Sequence, residues 1–146
     1  MHRKRIIIAG FDLSEEIRMR TISRAMRDAG FEIIYGGSGN TVDNIINAAI
    51  QEDVDAIGIG LYLGYNKEKI SNLMKRLEEK ELSDIVVFLD GIIPTKDFKY
   101  LKRRSIDRIF TQETNISDIV NYAKTIERKE KTSFFKKIYE IFLSLE

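Results

Sequence analysis

The sequence predicts an α/β domain: a doubly wound, five-stranded parallel sheet with helices on both faces, plus an extra C-terminal amphipathic helix. Three observations carry this. Short β-branched runs alternate along the chain with longer stretches whose apolar residues recur three and four apart. The runs are nearly continuous rather than alternating, as parallel strands covered on both sides require. With 146 residues, 43% hydrophobic and 32% charged, the chain has enough apolar material for one packed core and enough charge for a wet exterior.

Five apolar runs are predicted as strands: 5–9, 31–35, 56–61, 85–89 and 108–110. Between the first two, residues 13–29 place Ile17, Ile22, Ala25 and Met26 on one face and stop at Gly30, giving a first helix. After the loop Gly36-Gly37-Ser38-Gly39-Asn40, Thr41 opens a second helix with Val42, Ile45, Ile46, Ala49 and Ile50 inward. Residues 66–80 form a third around Ile70, Leu73, Met74 and Leu77. Pro94, the single proline, precedes a short fourth that begins at a Thr95 cap and carries Phe98 and Leu101. Thr114 or Asn115 caps a fifth, with Ile116, Ile119, Val120, Ala123 and Ile126 inward. Strict alternation implies right-handed crossovers. The polar stretch 127–133 reads as a hinge or solvated turn, so residues 1–128 are taken as the α/β domain and 129–146 as a linker and helix. On residues 134–145, Phe134, Phe135, Ile138, Ile141, Phe142 and Leu145 make one apolar stripe that serves either packing on its own domain or docking on another subunit.

Composition narrows the function. The 24 Lys and Arg residues against 23 acidic ones give a net charge of +1, which offers no field for nucleic acid. Without cysteine there are no disulfides, thiolate metal sites or cysteine nucleophiles. The basic start MHRKR leads into too short an apolar run for a signal peptide or a membrane span, so a cytoplasmic location and no membrane are expected. His2 is the one histidine, and no Ser-His-Asp set or multi-histidine metal site can be assembled from it. No catalytic residue and no protein metal site are assigned.

Ligands of open α/β sheets bind beyond the carboxyl ends of the strands. The loops there begin Gly10-Phe11-Asp12, Gly36-Gly37, Tyr62-Leu63-Gly64, Asp90-Gly91 and Thr111-Gln112. Asp12, Glu15 and Glu16 cluster in the first. Three carboxylates there suit a magnesium ion or an acid–base pair, but acidic residues in a first helical turn more commonly just favour the helix dipole. A phosphate-accepting receiver domain shares the architecture but expects an aspartate ending the third strand, where this chain has Gly60 and Leu61.

The stretch Asp90-Gly91-Ile92-Ile93-Pro94-Thr95-Lys96-Asp97-Phe98 resembles the Gly-Gly-Val-Ile-Pro-x-x-Asp-Phe of the cobalamin-binding domain of the methylmalonyl-CoA mutase group, found as a C-terminal domain or a separate small subunit. Asp28-Ala29-Gly30-Phe31-Glu32, Asp53 to Gly58, and Arg108-Ile109-Phe110-Thr111 support the resemblance, which spans roughly residues 4–126. It implies a Rossmann-like (flavodoxin-like) fold and cobalamin as cofactor. It also implies a mutase large subunit as partner, with self-association through residues 134–145 as the alternative, and an isomerase whose substrate cavity belongs to a separate barrel domain. Alone, such a chain is not a complete enzyme.

The same comparison shows a degenerate motif. In the family's Asp-x-His-x-x-Gly, the histidine ligates cobalt and the aspartate orients it. Aligned back from Gly30-Phe31, the histidine position falls on Glu15 and the glycine on Arg18, while Asp12 matches the aspartate only with a one-residue shift. The family's Ser-x-Leu falls on Gly60-Leu61-Tyr62, and the first glycine of its Gly-Gly pair on Asp90. The positions expected to meet a corrinoid are therefore Asp12, Glu15, Gly60, Tyr62, Asp90, Gly91 and Thr111. Carboxylate at Glu15 is a hard oxygen donor unsuited to corrinoid cobalt, so any bound corrinoid keeps its own base or sits differently against Gly91 and Thr111. Arg18 is expected to close the slot for the nucleotide tail. The rival expectations are a non-catalytic interaction or regulatory subunit that keeps the fold without cofactor, and a binder of another small anionic ligand.

Overall fold

The computed structural model of the chain describes residues 3–129 and 134–145, with residues 134–137 as backbone only. Five strands, β1 (Arg5–Gly10), β2 (Glu32–Gly37), β3 (Ala56–Leu61), β4 (Val86–Gly91) and β5 (Arg108–Phe110), form one sheet in the order β2-β1-β3-β4-β5. Every pairing is parallel. The helices are α1 (Ile17–Asp28), α2 (Val42–Glu52), α3 (Lys67–Glu79), α4 (Phe98–Arg103, preceded by a 3-10 turn at Thr95–Asp97), α5 (Ile116–Lys124) and α6 (Phe134–Ser144). The doubly wound parallel sheet is as predicted. Its winding reverses between β1 and β3, so their carboxyl ends flank the crevice where such sheets take ligands.

The sheet divides the core in two. On one face, Ile7, Ala9, Ile57, Ile59, Val87 and Leu89 pack under α2, α3 and α4. On the other, Ile6, Ile8, Ala56, Val86, Phe88 and Phe110 pack under α1 and α5. Phe88, Phe110 and Tyr122 meet edge to face at centroid separations of 5.3 to 6.3 Å. Buried Met19, Ile22 and Met26 hold α1 to the sheet, each worth about 1.5–3 kcal/mol of apolar burial.

Several local expectations are corrected. The first helix starts at Ile17, not Leu13, and Ile17 faces solvent. Met19 and Ser23 are buried in its inner face instead. Ile50 is likewise exposed on α2. Thr41 does cap α2, accepting from Asn44 N at 3.0 Å, and Asn66 caps α3. Thr95 and Asn115 make no side-chain cap, because the chain enters α4 through the 3-10 turn and the Thr114 hydroxyl accepts from Thr111 N.

The polar stretch after α5 is no free hinge at its start. Arg128 reaches Asp55 Oδ1 at 2.8 Å and Asp53 Oδ1 at 3.0 Å, and Lys129 N donates to the Asp84 carbonyl, tying the chain to the amino-terminal edge of the sheet. Residues 130–133 lie outside the described residues. On α6, Ile138, Ile141 and Phe142 are exposed, as is Leu145 just after it. Among the described residues no helix is long and apolar enough to cross a membrane.

Candidate functional site at the crown of the sheet

The site is the carboxyl-terminal edge of the strands. Arg18, in the first turn of α1, lies over the ends of β4 and β5. Its Nε and Nη2 meet Asp90 Oδ2 and Oδ1 at 2.8 and 3.1 Å, a bidentate pair. Its Nη2 also donates to the carbonyls of Thr111 (2.9 Å) and Thr114 (3.1 Å), and its Nη1 to that of Gln112 (3.0 Å). Tyr62, just past β3, donates to Asp90 Oδ2 at 2.6 Å. Asp90 is 3% exposed, so the cation and the phenol replace the water it lost. Burial first, and then the neighbouring Asp90 carboxylate, push the Tyr62 phenol well above its ordinary range.

The expected site residues therefore fall into two groups. Tyr62 and Asp90 join through side chains, and Thr111 joins through its carbonyl. Gly60 lies beneath, where a Cβ would stand 2.6 Å from the Tyr62 ring. Gly91 has φ of +150°, and a Cβ there would stand 2.2 Å from the Leu61 carbonyl oxygen, so β3 and β4 approach closely only because it is bare. Asp12 and Glu15 stand apart from this cluster. Asp12 turns towards α3, with Lys69 Nζ 3.6 Å from its carboxylate, and Glu15 is exposed on the rim of an open depression of about 320 Å³ lined also by Ile17, Arg18, Tyr62 and Leu63.

Glu16, the third carboxylate of the cluster, turns the other way. It accepts from the Tyr35 hydroxyl, from Ser38 Oγ at 2.9 Å and from Ser38 N at 3.3 Å. The three carboxylates thus go to separate surroundings, and among the described residues no group of three metal-ligating side chains converges. The hydrogen bond from Tyr35, followed by those from Ser38, holds the Glu16 carboxyl below its ordinary value. Asn40 closes the same loop, its amide donating to the carbonyls of Gly10, Gly36 and Gly37.

Burial and the hydrogen bond to Glu16 push the Tyr35 phenol from 10 up to about 12. Because the folded value is the higher one, the stability linked to this contact is complete below pH 10 and fades as pH rises through about 12. An ultraviolet difference titration is expected to show Tyr35 ionising near pH 12, with the component missing in Tyr35→Phe. Loss of a component near pH 10 in that variant would contradict the contact.

The crown also exposes apolar surface. Leu13, Ile17, Leu63 and Ile92, on the segments following β1, β3 and β4, are between 62% and 79% exposed. Single exposed apolar residues are ordinary, and these four share the carboxyl-terminal edge of the sheet, three on loops and Ile17 at the start of α1. A second depression, of about 270 Å³ and bordered by Leu77, Ile85 and Arg104, opens elsewhere, between the ends of α3 and α4. Sequence reasoning named Arg18 as an obstruction and Glu16 as one of three clustered carboxylates but found neither one's partners, Asp90 and Ser38, because these lie 72 and 22 residues away and no local pattern announces them.

Comparison with known proteins bears on the family and the fold. The family model described as "B12 binding domain" matches residues 8–121. The 2-hydroxyisobutanoyl-CoA mutase small subunit of Aquincola tertiaricarbonis is 29% identical over 123 residues, covering 84% of this chain and 90% of that one. The fused isobutyryl-CoA mutase of Geobacillus kaustophilus is 32% identical over 116 residues, covering 77% of this chain, which spans only 11% of that protein. Among solved structures, a cobalamin-binding protein from Desulfitobacterium hafniense superposes with a TM-score of 0.68 at 18% identity, covering 84% of this chain and 58% of that one.

Proposed function

The chain belongs to the B12-binding domain family, and from that premise we propose that it is the corrinoid-carrying small subunit of an acyl-CoA carbon-skeleton mutase, with no protein imidazole beneath the cobalt. In this reading residues 1–128 carry the cofactor, and residues 129–146 form an arm towards a large subunit. The observation that carries it is the apolar crown: Leu13, Ile17, Leu63 and Ile92 stand exposed where a doubly wound sheet takes its ligand. A corrin ring is a broad disc that buries one face on such a surface.

The residues fit the ring and not what hangs below it. The position that resembles the family's cobalt ligand is the exposed Glu15, a poor donor to corrinoid cobalt. His2 lies outside the described residues. A bound corrinoid would supply radical chemistry to a substrate cavity on the partner chain. This chain's own part is to seat the disc with its exposed apolar residues and to present it.

A cofactor-free regulatory subunit is the second reading, favoured by the Arg18–Asp90–Tyr62 cluster being fully partnered within the protein. Another anionic ligand between the Gly36–Asn40 loop and Asp90 is disfavoured. It would meet the Asp90 carboxylate, and the Ser38 donors are already taken by Glu16.

Equilibrium dialysis against hydroxocobalamin or adenosylcobalamin tests the first reading through the visible spectrum of the retained protein. Retention of a corrinoid with its own base on cobalt is expected. No retention would leave the regulatory reading, and a histidine-ligated spectrum would overturn the assignment of Glu15.

A further inference from the structure

The face of the sheet under α1 and α5 contains a trough. Along β3 its floor is Ala56, Gly58 and Gly60, three residues with little or no side chain. Small residues alone do not make a site, and here the space above them is filled by the chain itself. A Cβ on Gly58 would stand 2.5 Å from the Phe88 ring, and one on Gly60 would stand 2.6 Å from the Tyr62 ring and 3.0 Å from Met19. What remains between Ile8, Ile22, Gly60, Tyr62 and Phe88 is a cavity of about 10 Å³, room for one water at most.

The mouth of the trough is closed by groups that share one network. Arg18, Asp90 and Tyr62 are three separate departures from the motifs of the family this chain resembles, at positions 18, 62 and 90, yet they contact one another directly. Each would be costly alone. Asp90 without Arg18 is a buried anion, and Tyr62 without Asp90 is a phenol with its hydroxyl turned into the interior. All three guanidinium nitrogens of Arg18 are engaged with protein oxygens, so the group is not a hook held ready for a phosphate.

We infer that Arg18, Asp90 and Tyr62 are an internal plug that keeps the tail of any crown-bound ligand out of the trough, so that the protein selects corrinoids by their ring alone. The plug sets specificity by occupying the volume a penetrating group would need. This deepens the proposed function and rests on it for the identity of the ligand, but the plug itself is judged separately below.

The test compares hydroxocobalamin with diaquocobinamide, which has the same ring and no nucleotide tail, by dialysis and visible spectrum. The protein as it stands is expected to bind the two within about threefold of each other, with cobalamin keeping its own base on cobalt. Opening the trough with Arg18→Gly/Tyr62→Leu/Asp90→Gly, which removes both charges together with the ring that overlies Gly60, is expected to raise the preference for cobalamin about tenfold or more and to detach the base in its spectrum. Tyr62→Leu alone leaves the ion pair in place and gives a second, smaller opening should the triple variant fail to fold. Base-detached cobalamin on the unaltered protein would overturn the plug, as would an unchanged preference in a folded opened variant. If the unaltered protein holds neither corrinoid, the proposed function fails while the plug is decided by the opened variant: cobalamin retention there upholds it, and none overturns it.

Discussion

Arg18→Ala is expected to cost about 3–5 kcal/mol of folding stability, the loss typical when one partner of a buried pair is removed. Its side chain is only 20% exposed and that of Asp90 5%, so water cannot easily replace the guanidinium. Tyr62 would remain as the one side chain donating to Asp90, and the carbonyls of Thr111, Gln112 and Thr114 would lose a shared donor. Urea denaturation measures the loss. The double variant Arg18→Ala/Asp90→Ala should lose less than Arg18→Ala alone, since no charge is then left buried, giving a coupling energy on the order of 2 kcal/mol. Arg18→Lys should fall between, because a single ammonium cannot copy the two-pronged contact. Strict additivity of the two alanine substitutions would mean the groups are not one unit.

How much of this was legible in the sequence depends on whether a residue answers to its neighbours in the chain or to distant ones. The strands were, to within a residue or two, because β-branched runs such as Ile6-Ile7-Ile8 and Val86-Val87 are driven by burial on both faces. The start of α1 was not. Leu13 and Ile17 fit the helical spacing, but periodicity reports only that a residue is apolar, not whether its own core or the crown takes it. Ile50 misled in the same way.

The crown shows the same limit from the other side. Tyr62 and Asp90 were singled out as departures from a resemblance and Thr111 as part of a match to it, one by one. That Arg18 draws them together follows from the β2-β1-β3-β4-β5 order and from a helix start four residues later than periodicity suggests, neither of which is written locally. The long charged side chain at position 18 was expected to obstruct a slot. Its carboxylate partner 72 residues on fixes that side chain in place.

Gly91→Ala is expected to be severe for a reason of backbone geometry alone. The added methyl would stand 2.2 Å from the Leu61 carbonyl oxygen and 2.6 Å from its carbonyl carbon, and neither is the end of a side chain that can swing away. Relief requires β3 and β4 to part at the crown, where Ile92 N donates to that same carbonyl at 3.0 Å. The φ of +150° adds strain for any residue with a Cβ. Together these should cost on the order of 3 kcal/mol or more, read as a fall in the urea midpoint with little change in slope. Gly30 is the internal contrast: its φ is +100°, but an added Cβ meets nothing within 4 Å, so Gly30→Ala should carry the strain without the clash and lose clearly less. Equal losses at the two glycines would mean that the close approach of β3 and β4 does not hold the crown together.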